Sequence, residues 1–220
     1  KSKIKNNRKL MLTPGPAVVL HENLQYLKPL FGRGDDEYLA LEDDVLLRLL
    51  KMTGHKEIAR MQGAGSLALE IMARNFLSGR VLVVSTGYYS DRLFHLAQSS
   101  ARHGSSIQSV EQLSWQDLDT TSKVYDWVWA CPTETSAGLK LPISTLSDFA
   151  KRCNARLMLD ATASVGLESD HQLADVLSYS SCKGLFGLTG ACFIAFNEKP
   201  TVSVDSFYYS LYFISLFVQY

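Results

Sequence analysis

The chain has 220 residues, of which 46% are hydrophobic and 20% are charged. That is enough apolar material for one large domain with a single core, or for one domain with an appendage. The 22 Lys and Arg residues balance the 22 Asp and Glu residues, which argues against a bulk nucleic-acid or anionic-membrane surface. No apolar run reaches the roughly 18 residues that a membrane-spanning helix needs.

The cysteines and the basic N-terminal stretch bear on the cellular compartment. None of the four cysteines forms a C-x-x-C pair or stands near a histidine at zinc-ligand spacing. We therefore expect reduced thiols, a cytoplasmic location and no metal site. Residues 1–10 carry five basic side chains and no apolar core, so we predict a basic N-terminal extension rather than a secretory signal. A phosphate- or partner-binding arm is the alternative.

The predicted elements alternate between helices and buried strands. A first amphipathic helix spans Leu39–Lys51 and stops at Thr53-Gly54. The later predicted strands are Glu57–Met61, Arg80–Thr86, Tyr125–Ala130, Arg156–Asp160, Val176–Tyr179 and Ala191–Phe196. The later predicted helices are Leu67–Leu77, Ser90–His103 with Ser90 as N-cap, and Ser144–Asn154 with Ser144 as N-cap. This alternation predicts an α/β fold with a mainly parallel sheet and helices on both faces, whose ligand site lies at the carboxyl ends of the strands.

A glycine-rich turn lies between the first of these strands and the following helix. Gln62–Ser66 contains Gly63 and Gly65 and then a hydroxyl at Ser66. Glycines let the backbone approach an anion, and the helix that follows offers unpaired N–H groups. The stretch is neither a Walker loop nor G-x-G-x-x-G. It is either a phosphate site or an ordinary strand-to-helix turn.

Two ionisable residues stand at the ends of buried strands. Asp160 ends the strand Arg156–Asp160, where a carboxylate can hold a positive ring nitrogen or a metal, or simply cap a helix. Lys183 follows the strand Val176–Tyr179 and is either a desolvated nucleophilic amine or a surface lysine in a turn. The small residues around it leave room for a bulky ligand; these are Ser180, Ser181, Gly184 and Gly187.

Two further strand ends carry groups suited to a ligand. The loop Thr133–Gly138 is dense in hydroxyls and can bind a ligand oxygen or form an ordinary turn. Tyr88 and Tyr89 follow another strand, where an aromatic ring can stack on a planar ligand or pack against the protein. Taken together in chain order, these signals match a cofactor that has a phosphate, a pyridine nitrogen, a phenolic oxygen and an aldehyde.

Six stretches of the sequence resemble the class V aminotransferases, which have fold type I and depend on pyridoxal 5'-phosphate. Within this family, the sequence resembles the serine/alanine–glyoxylate and the 2-aminoethylphosphonate–pyruvate aminotransferases. The resemblance covers residues 11–197. The matching stretches, in family order, are Leu12–Pro16, Gln62–Glu70, Thr86–Arg92, Glu134–Gly138, Asp160–Gly166 and Ser180–Gly184.

The resemblance implies a role for each matched position. Lys183 would form the Schiff base with the cofactor and then move the α-proton, and Asp160 would pair with the pyridine nitrogen. Tyr89 would stack on the ring, Thr135 would lie near the phenolic oxygen, and Pro14 and Gly15 would lie near the substrate. Gly65, Ser66 and neighbouring N–H groups would bind the phosphate, with help from Ser181. The other cofactor-binding positions are Leu67 and Thr162.

The implied reaction moves an amino group from a small amino donor to a 2-oxo acid such as pyruvate or glyoxylate, in a homodimer. Residues 11–200 would form the cofactor-binding large domain, and residues 201–220 would begin a C-terminal segment. The small domain, which in the family carries the arginine for the substrate carboxylate, is expected to be missing or truncated. Two alternatives remain: a non-catalytic domain that binds a partner, and a pyridoxal-phosphate-dependent lyase or cysteine desulfurase.

Overall fold

A computed structural model describes residues 15–17, 19, 21–27, 32, 34–102, 106–200 and 202–212. The basic extension, Pro14 and the last eight residues of the chain lie outside the described residues. The described elements are the helices α1 His21–Gln25, α2 Asp36–Thr53, α3 Gly65–Phe76, α4 Tyr88–Arg102 and α5 Ile143–Arg152, and nine strands. The strands are β1 Glu57–Gln62, β2 Gly79–Ser85, β3 Ile107–Ser114, β4 Trp127–Ala130, β5 Thr133–Glu134, β6 Leu139–Lys140, β7 Arg156–Asp160, β8 Val176–Ser180 and β9 Ala191–Phe196.

Seven of these strands form one sheet in the order β1-β9-β8-β7-β4-β2-β3. The five strands from β8 to β3 pair in parallel, whereas β9 runs antiparallel to both of its neighbours. Since β1 and β8 both oppose β9, β1 points the same way as the parallel strands. The predicted α/β fold with a mainly parallel sheet is confirmed.

The core has two layers because both sheet faces are covered. Alternate residues of one strand face opposite sides, so Val81 and Val83 pack with α3 and α4, whereas Leu82 and Val84 pack with α5. The two neighbouring tryptophans of β4, Trp127 and Trp129, lie on the α3–α4 side. Helices therefore cover both faces, as predicted, and the inner strands β2, β4 and β7 are near-continuous apolar runs, as expected of buried parallel strands.

Several predicted boundaries differ from the structure. Helix α4 begins at Tyr88, so Ser90 is not its N-cap; the Ser90 hydroxyl oxygen instead accepts hydrogen bonds from the N–H groups of Thr86 and Gly87 at 2.7 and 2.9 Å. Helix α5 begins at Ile143 directly after Pro142, which places Ser144 inside the first turn. Proline has a restricted φ and no N–H group, so it is well tolerated where a chain enters a helix.

Two strand regions were not predicted. β3 is the edge strand, and its sequence mixes apolar and polar residues without a buried run, because only one of its sides pairs with another strand. β5 and β6 form a short hairpin inside the hydroxyl-rich loop. By contrast, the predicted stop of the first long helix is confirmed: Gly54 follows α2 in the left-handed region with φ 73°, and its N–H binds the Leu50 carbonyl.

Candidate active site

The polar residues singled out in the sequence meet at one edge of the sheet. The strands β1, β2, β4, β7 and β8 all end there, because they point in the same direction. A cavity of about 300 Å³ opens at this edge. Seven of the predicted site residues line it: Gly65, Ser66, Tyr89, Thr135, Asp160, Thr162 and Lys183.

Asp160 is a buried carboxylate at the wall of this cavity. Its side chain is the last of β7, and the residue is only 4% exposed. One oxygen accepts a hydrogen bond from the Thr162 N–H at 3.1 Å. Burial raises the pKa of this carboxyl, and the Thr162 hydrogen bond and the nearby Arg92 charge only partly oppose the rise. A buried carboxylate of this kind is stabilised by a cation placed in the cavity.

Lys183 lies in the turn after β8, the strand that pairs with β7, which carries Asp160. Its side chain is half-buried and lines the cavity. The Gly15 backbone lies against it, since a Cβ atom added to Gly15 would fall 2.7 Å from the Lys183 Nζ. The Ala17 N–H also binds the Cys182 carbonyl at 2.7 Å. The segment 15–17 thus covers the lysine, and a substrate contact of Gly15 stays a prediction.

The N-terminus of α3 faces the cavity without a capping side chain. Ala64 precedes the helix, offers no side-chain cap, and lines the cavity together with Gly65 and Ser66. A Cβ atom at Gly65 would lie 3.2 Å from the Thr162 Oγ1, so Gly65 allows a close approach here. Unpaired N–H groups at a helix N-terminus suit an anion.

Two predicted phosphate-binding residues lie outside the cavity lining. The Leu67 N–H is bonded to the Ala64 carbonyl at 2.9 Å, and the Leu67 side chain packs against the core. The Ser181 hydroxyl donates within its own loop, with the Leu188 carbonyl at 2.6 Å and the Ala191 carbonyl at 3.1 Å. Ser181 therefore shapes the loop that carries Lys183.

Tyr89 and Thr135 are brought together through Glu134, to which the sequence analysis gave no role. The Glu134 carboxylate is fully buried and accepts hydrogen bonds from the N–H groups of Tyr89 and Ser90, both at 3.1 Å. The Ser136 N–H at 3.2 Å and the Ser136 hydroxyl also donate to it. An acid beside the hydroxyl-rich loop was visible in the sequence, but nothing there showed that it caps a distant helix.

Arg92 is a second residue that the sequence analysis left without a role. It lines the cavity, its Nη1 donates to the Ser66 Oγ at 3.3 Å, and its guanidinium lies 5.4 Å from the centre of the Tyr89 ring. Arg92 stands three residues after Tyr89, one helical turn along α4. That spacing was the available signal that both side chains point the same way.

Two cysteines also reach the cavity, Cys131 and Cys182. Burial, together with the negative charges of Asp160 and Glu134, raises the pKa of the Cys131 thiol well above its usual value. Cys131 is therefore a neutral thiol at neutral pH and a poor nucleophile. Within the described ranges no group of three or more His, Cys, Asp or Glu side chains could hold a metal ion, and no described helix is long and apolar enough to cross a membrane.

Curated proteins with related sequences are transaminases. The chain is 26% identical to a 2-aminoethylphosphonate–pyruvate transaminase of Pseudomonas aeruginosa over 198 residues, which cover 84% of this chain and 53% of that protein. It is 28% identical to the enzyme of the same name from Bacillus mycoides, covering 87% of this chain and 56% of that protein. The chain thus spans about half the length of these relatives. No family model matches the chain.

Solved aminotransferases share the fold. Pyridoxamine–pyruvate aminotransferase from Mesorhizobium loti superposes with a TM-score of 0.79 at 19% identity, covering 94% of this chain and 58% of that one. Alanine–glyoxylate aminotransferase from Nostoc sp. superposes with a TM-score of 0.77 at 21% identity, covering 99% and 66%. The mainly parallel sheet is therefore that of the fold type I enzymes, and the sequence relatives support the class V aminotransferase family.

Proposed function

We propose that this relative of the class V aminotransferases is itself a pyridoxal-phosphate-dependent aminotransferase, with Lys183 as the amine that bonds the cofactor. The observation that carries the proposal is that Asp160, at the end of β7, and Lys183, in the turn after the adjacent strand β8, line the same cavity as the N-terminus of α3. Function follows from such a site and not from the fold alone.

The residues present fit pyridoxal 5'-phosphate. Asp160 is a buried carboxylate whose pKa is raised by burial and only partly lowered by Thr162 and Arg92, and a protonated ring nitrogen would stabilise its charged form further. The Thr162 Oγ1 is buried in the cavity wall and lies 3.2 Å from the position of a Cβ atom added to Gly65. When bound, the cofactor supplies an aldehyde carbon that amines attack and a ring that withdraws electron density from the attached amino acid.

Each protein group then has a separate task. Lys183 would hold the cofactor through its amine, and once an amino donor has displaced that amine, the freed amine would move a proton at the α-carbon of the donor. Asp160 would keep the ring nitrogen protonated, and Tyr89 would stack on the ring. Gly65 and Ser66 would bind the phosphate through the helix N-terminus, and the Thr135 hydroxyl would serve the phenolic oxygen. The backbone of residues 15–17, which lies over Lys183, limits the access of water to the amine.

The substrates that we propose are a small amino donor and a 2-oxo acid, pyruvate or glyoxylate. The sequence relatives are named for 2-aminoethylphosphonate and pyruvate, and one structural neighbour is named for alanine and glyoxylate. We also propose a cytoplasmic homodimer. Because the chain spans only about half of its relatives, the groups that select the donor need not all lie within it.

Visible absorbance tests the cofactor assignment. The protein is loaded with pyridoxal phosphate and dialysed, and its spectrum is compared with those of Lys183→Ala and of Lys199→Ala, an exposed lysine beyond β9. The proposal predicts a retained yellow band in the wild type and in Lys199→Ala, and its loss in Lys183→Ala. A wild type that stays colourless in excess cofactor refutes the enzyme assignment and leaves the non-catalytic binding domain as the alternative.

A donor screen tests the reaction itself. The loaded protein is mixed separately with 2-aminoethylphosphonate, serine and alanine, and the yellow band and the carbonyl product are followed. An aminotransferase bleaches the band with one donor in proportion to the carbonyl product, and pyruvate or glyoxylate restores it. A protein that retains the band with every donor would bind the cofactor without transferring amino groups.

A further inference from the structure

Arg92 carries a positive charge that the proposed reaction does not use. The cavity is lined by one carboxylate, Asp160, and by two cations, Lys183 and Arg92. Arg92 forms no ion pair within 4.0 Å among the described residues, although its charge acts on the Asp160 carboxyl, and its Nε is buried without a hydrogen-bond partner. If Asp160 pairs with the ring nitrogen, the Arg92 charge is available to an anionic group of the ligand.

The place where that anion would lie is defined by the neighbours of Arg92. Its Nη1 is 3.3 Å from the Ser66 Oγ, in the first turn of α3. That turn contains no acidic residue, and the helix has no side-chain cap. The guanidinium and the positive end of the helix therefore face the same point, and an anion bound between them would satisfy both.

The Tyr89 ring fixes the direction of the guanidinium. The Arg92 Cζ lies 5.4 Å from the ring centre, within the range of a cation–π contact. Tyr89 in turn is held by the Glu134 carboxylate through its N–H. An arginine restrained on one side by an aromatic ring can present its planar fork of N–H donors to a tetrahedral anion, which binds two of them at once.

We propose that Arg92 is the cation that binds the phosphate group of the cofactor, opposite the N-terminus of α3. This inference rests on the proposed function, since it names a further residue of the same site. The competing role for Arg92 is to bind an anionic group of the substrate, a phosphonate or a carboxylate. If Arg92 binds the cofactor phosphate, removing the Arg92 charge weakens the binding of a cofactor that has the phosphate and spares one that lacks it. If Arg92 binds the substrate, removing the charge leaves the affinity for the cofactor unchanged.

The experiment compares pyridoxal phosphate with pyridoxal, which lacks only the phosphate. Dissociation constants of both are measured on the apoprotein for the wild type, Arg92→Gln, Arg92→Lys and Arg102→Gln, the last an exposed arginine at the end of the same helix. We expect Arg92→Gln to weaken binding of pyridoxal phosphate about 10- to 100-fold and to leave that of pyridoxal within about twofold. Arg92→Lys should lie between, and Arg102→Gln should match the wild type.

A second measurement covers the outcome in which Arg92→Gln folds poorly. Inorganic phosphate should raise the melting temperature of the wild-type apoprotein, and should raise that of Arg92→Lys by less, because lysine keeps the charge without the planar fork of N–H donors.

Equal loss of affinity for pyridoxal phosphate and for pyridoxal overturns the inference, because Arg92 would then act by ordering Tyr89 or Ser66. Unchanged affinity for pyridoxal phosphate, with a raised KM for an anionic donor, also overturns it. A wild type that binds neither ligand refutes the proposed function together with this inference, and is recognised before any variant is measured.

Discussion

The Glu134 carboxylate accepts a hydrogen bond from the Tyr89 backbone N–H at 3.1 Å, across 45 positions of the sequence. Through this bond the loop after β4 caps the helix that follows β2. Glu134 is fully buried, and it also accepts from Ser90, Ser136 and the Thr86 hydroxyl, the last at 3.4 Å. One side chain therefore fixes both Thr135 and Tyr89, two of the residues proposed to contact the cofactor.

Replacing Glu134 by Gln should destabilise the protein and weaken cofactor binding together. The amide keeps one acceptor oxygen and turns an NH₂ group towards N–H donors. Buried N–H groups then lose their acceptor, which should lower the free energy of unfolding by about 1–3 kcal/mol. Urea unfolding and cofactor titration measure the two effects, with Glu57→Gln as an exposed glutamate control. Unfolding curves of Glu134→Gln and the wild type that superpose would show that the carboxylate does not hold this helix.

Asp160→Asn should have opposite effects on the apoprotein and on the complex. Burial raises the pKa of Asp160, so the folded apoprotein disfavours the charged form of this carboxyl relative to the unfolded chain. Asparagine removes that charge and should raise the apoprotein melting temperature. It also removes the partner of the ring nitrogen, so cofactor affinity should fall about 10- to 100-fold. If the variant lowered the apoprotein melting temperature, Asp160 would already be compensated within the chain.

The buried histidines His55 and His171 should make stability fall in mild acid. Burial lowers the pKa of both imidazoles below the ordinary 6.5. The opposing effects are smaller: hydrogen bonds to the Ala174 and Thr53 carbonyls raise the pKa of His55, and the charge of Glu168 raises that of His171. Between the pKa of the folded state and 6.5, the unfolded chain therefore binds more protons than the folded chain does. The free energy of unfolding rises with pH through that window, and this stability is lost as the pH falls below 6.5. Denaturant unfolding at about pH 8 and about pH 5 measures the loss.

The control for this pH effect is a third histidine. His55→Gln should show a smaller loss of unfolding free energy on acidification than the wild type, whereas His95→Gln, at an exposed position of α4, should show the wild-type loss. If His55→Gln and His171→Gln both kept the full loss, the acid sensitivity would have to come from other groups.

Gly184→Ala should disturb the Lys183 loop. A Cβ atom there would collide with the Val165 carbonyl oxygen, in the segment that follows Asp160. Because that contact is with backbone, the cost should be about 1–3 kcal/mol, with weaker cofactor binding as Lys183 shifts. Gly138→Ala is the matched control: it has φ 63° but open surroundings, so it should cost about 1–2 kcal/mol and leave cofactor affinity unchanged. Equal cofactor affinity in the two variants would contradict this.

The strand ends were predictable because buried parallel strands are continuous apolar runs. Arg156–Asp160 and Ala191–Phe196 have the predicted bounds, and the rule that ligands bind at the carboxyl ends of strands led to Asp160 and Lys183. The reason given for the small residues near Lys183 was wrong in part. Gly184 and Gly187 face the backbone oxygens of Val165 and Ser181 and leave no space for a ligand.

Contacts between distant segments could not be predicted in this way. Glu134 and Arg92 act through partners 45 and 26 positions away, and neither partner is marked by local spacing. Ser90 was predicted as the N-cap because serine is common there, but the buried Glu134 carboxylate binds the helix N–H groups instead. Tertiary hydrogen bonds of this kind replace local capping, and a single sequence contains no signal for them.

The most direct test of the central claim is reduction of the loaded protein with borohydride followed by peptide mapping. We expect one peptide, the one containing Lys183, to carry the reduced pyridoxyl group, and Lys183→Ala to carry none. A label on another lysine, or a wild type that carries none after loading with pyridoxal phosphate, would contradict the assignment of Lys183 as the amine that bonds the cofactor.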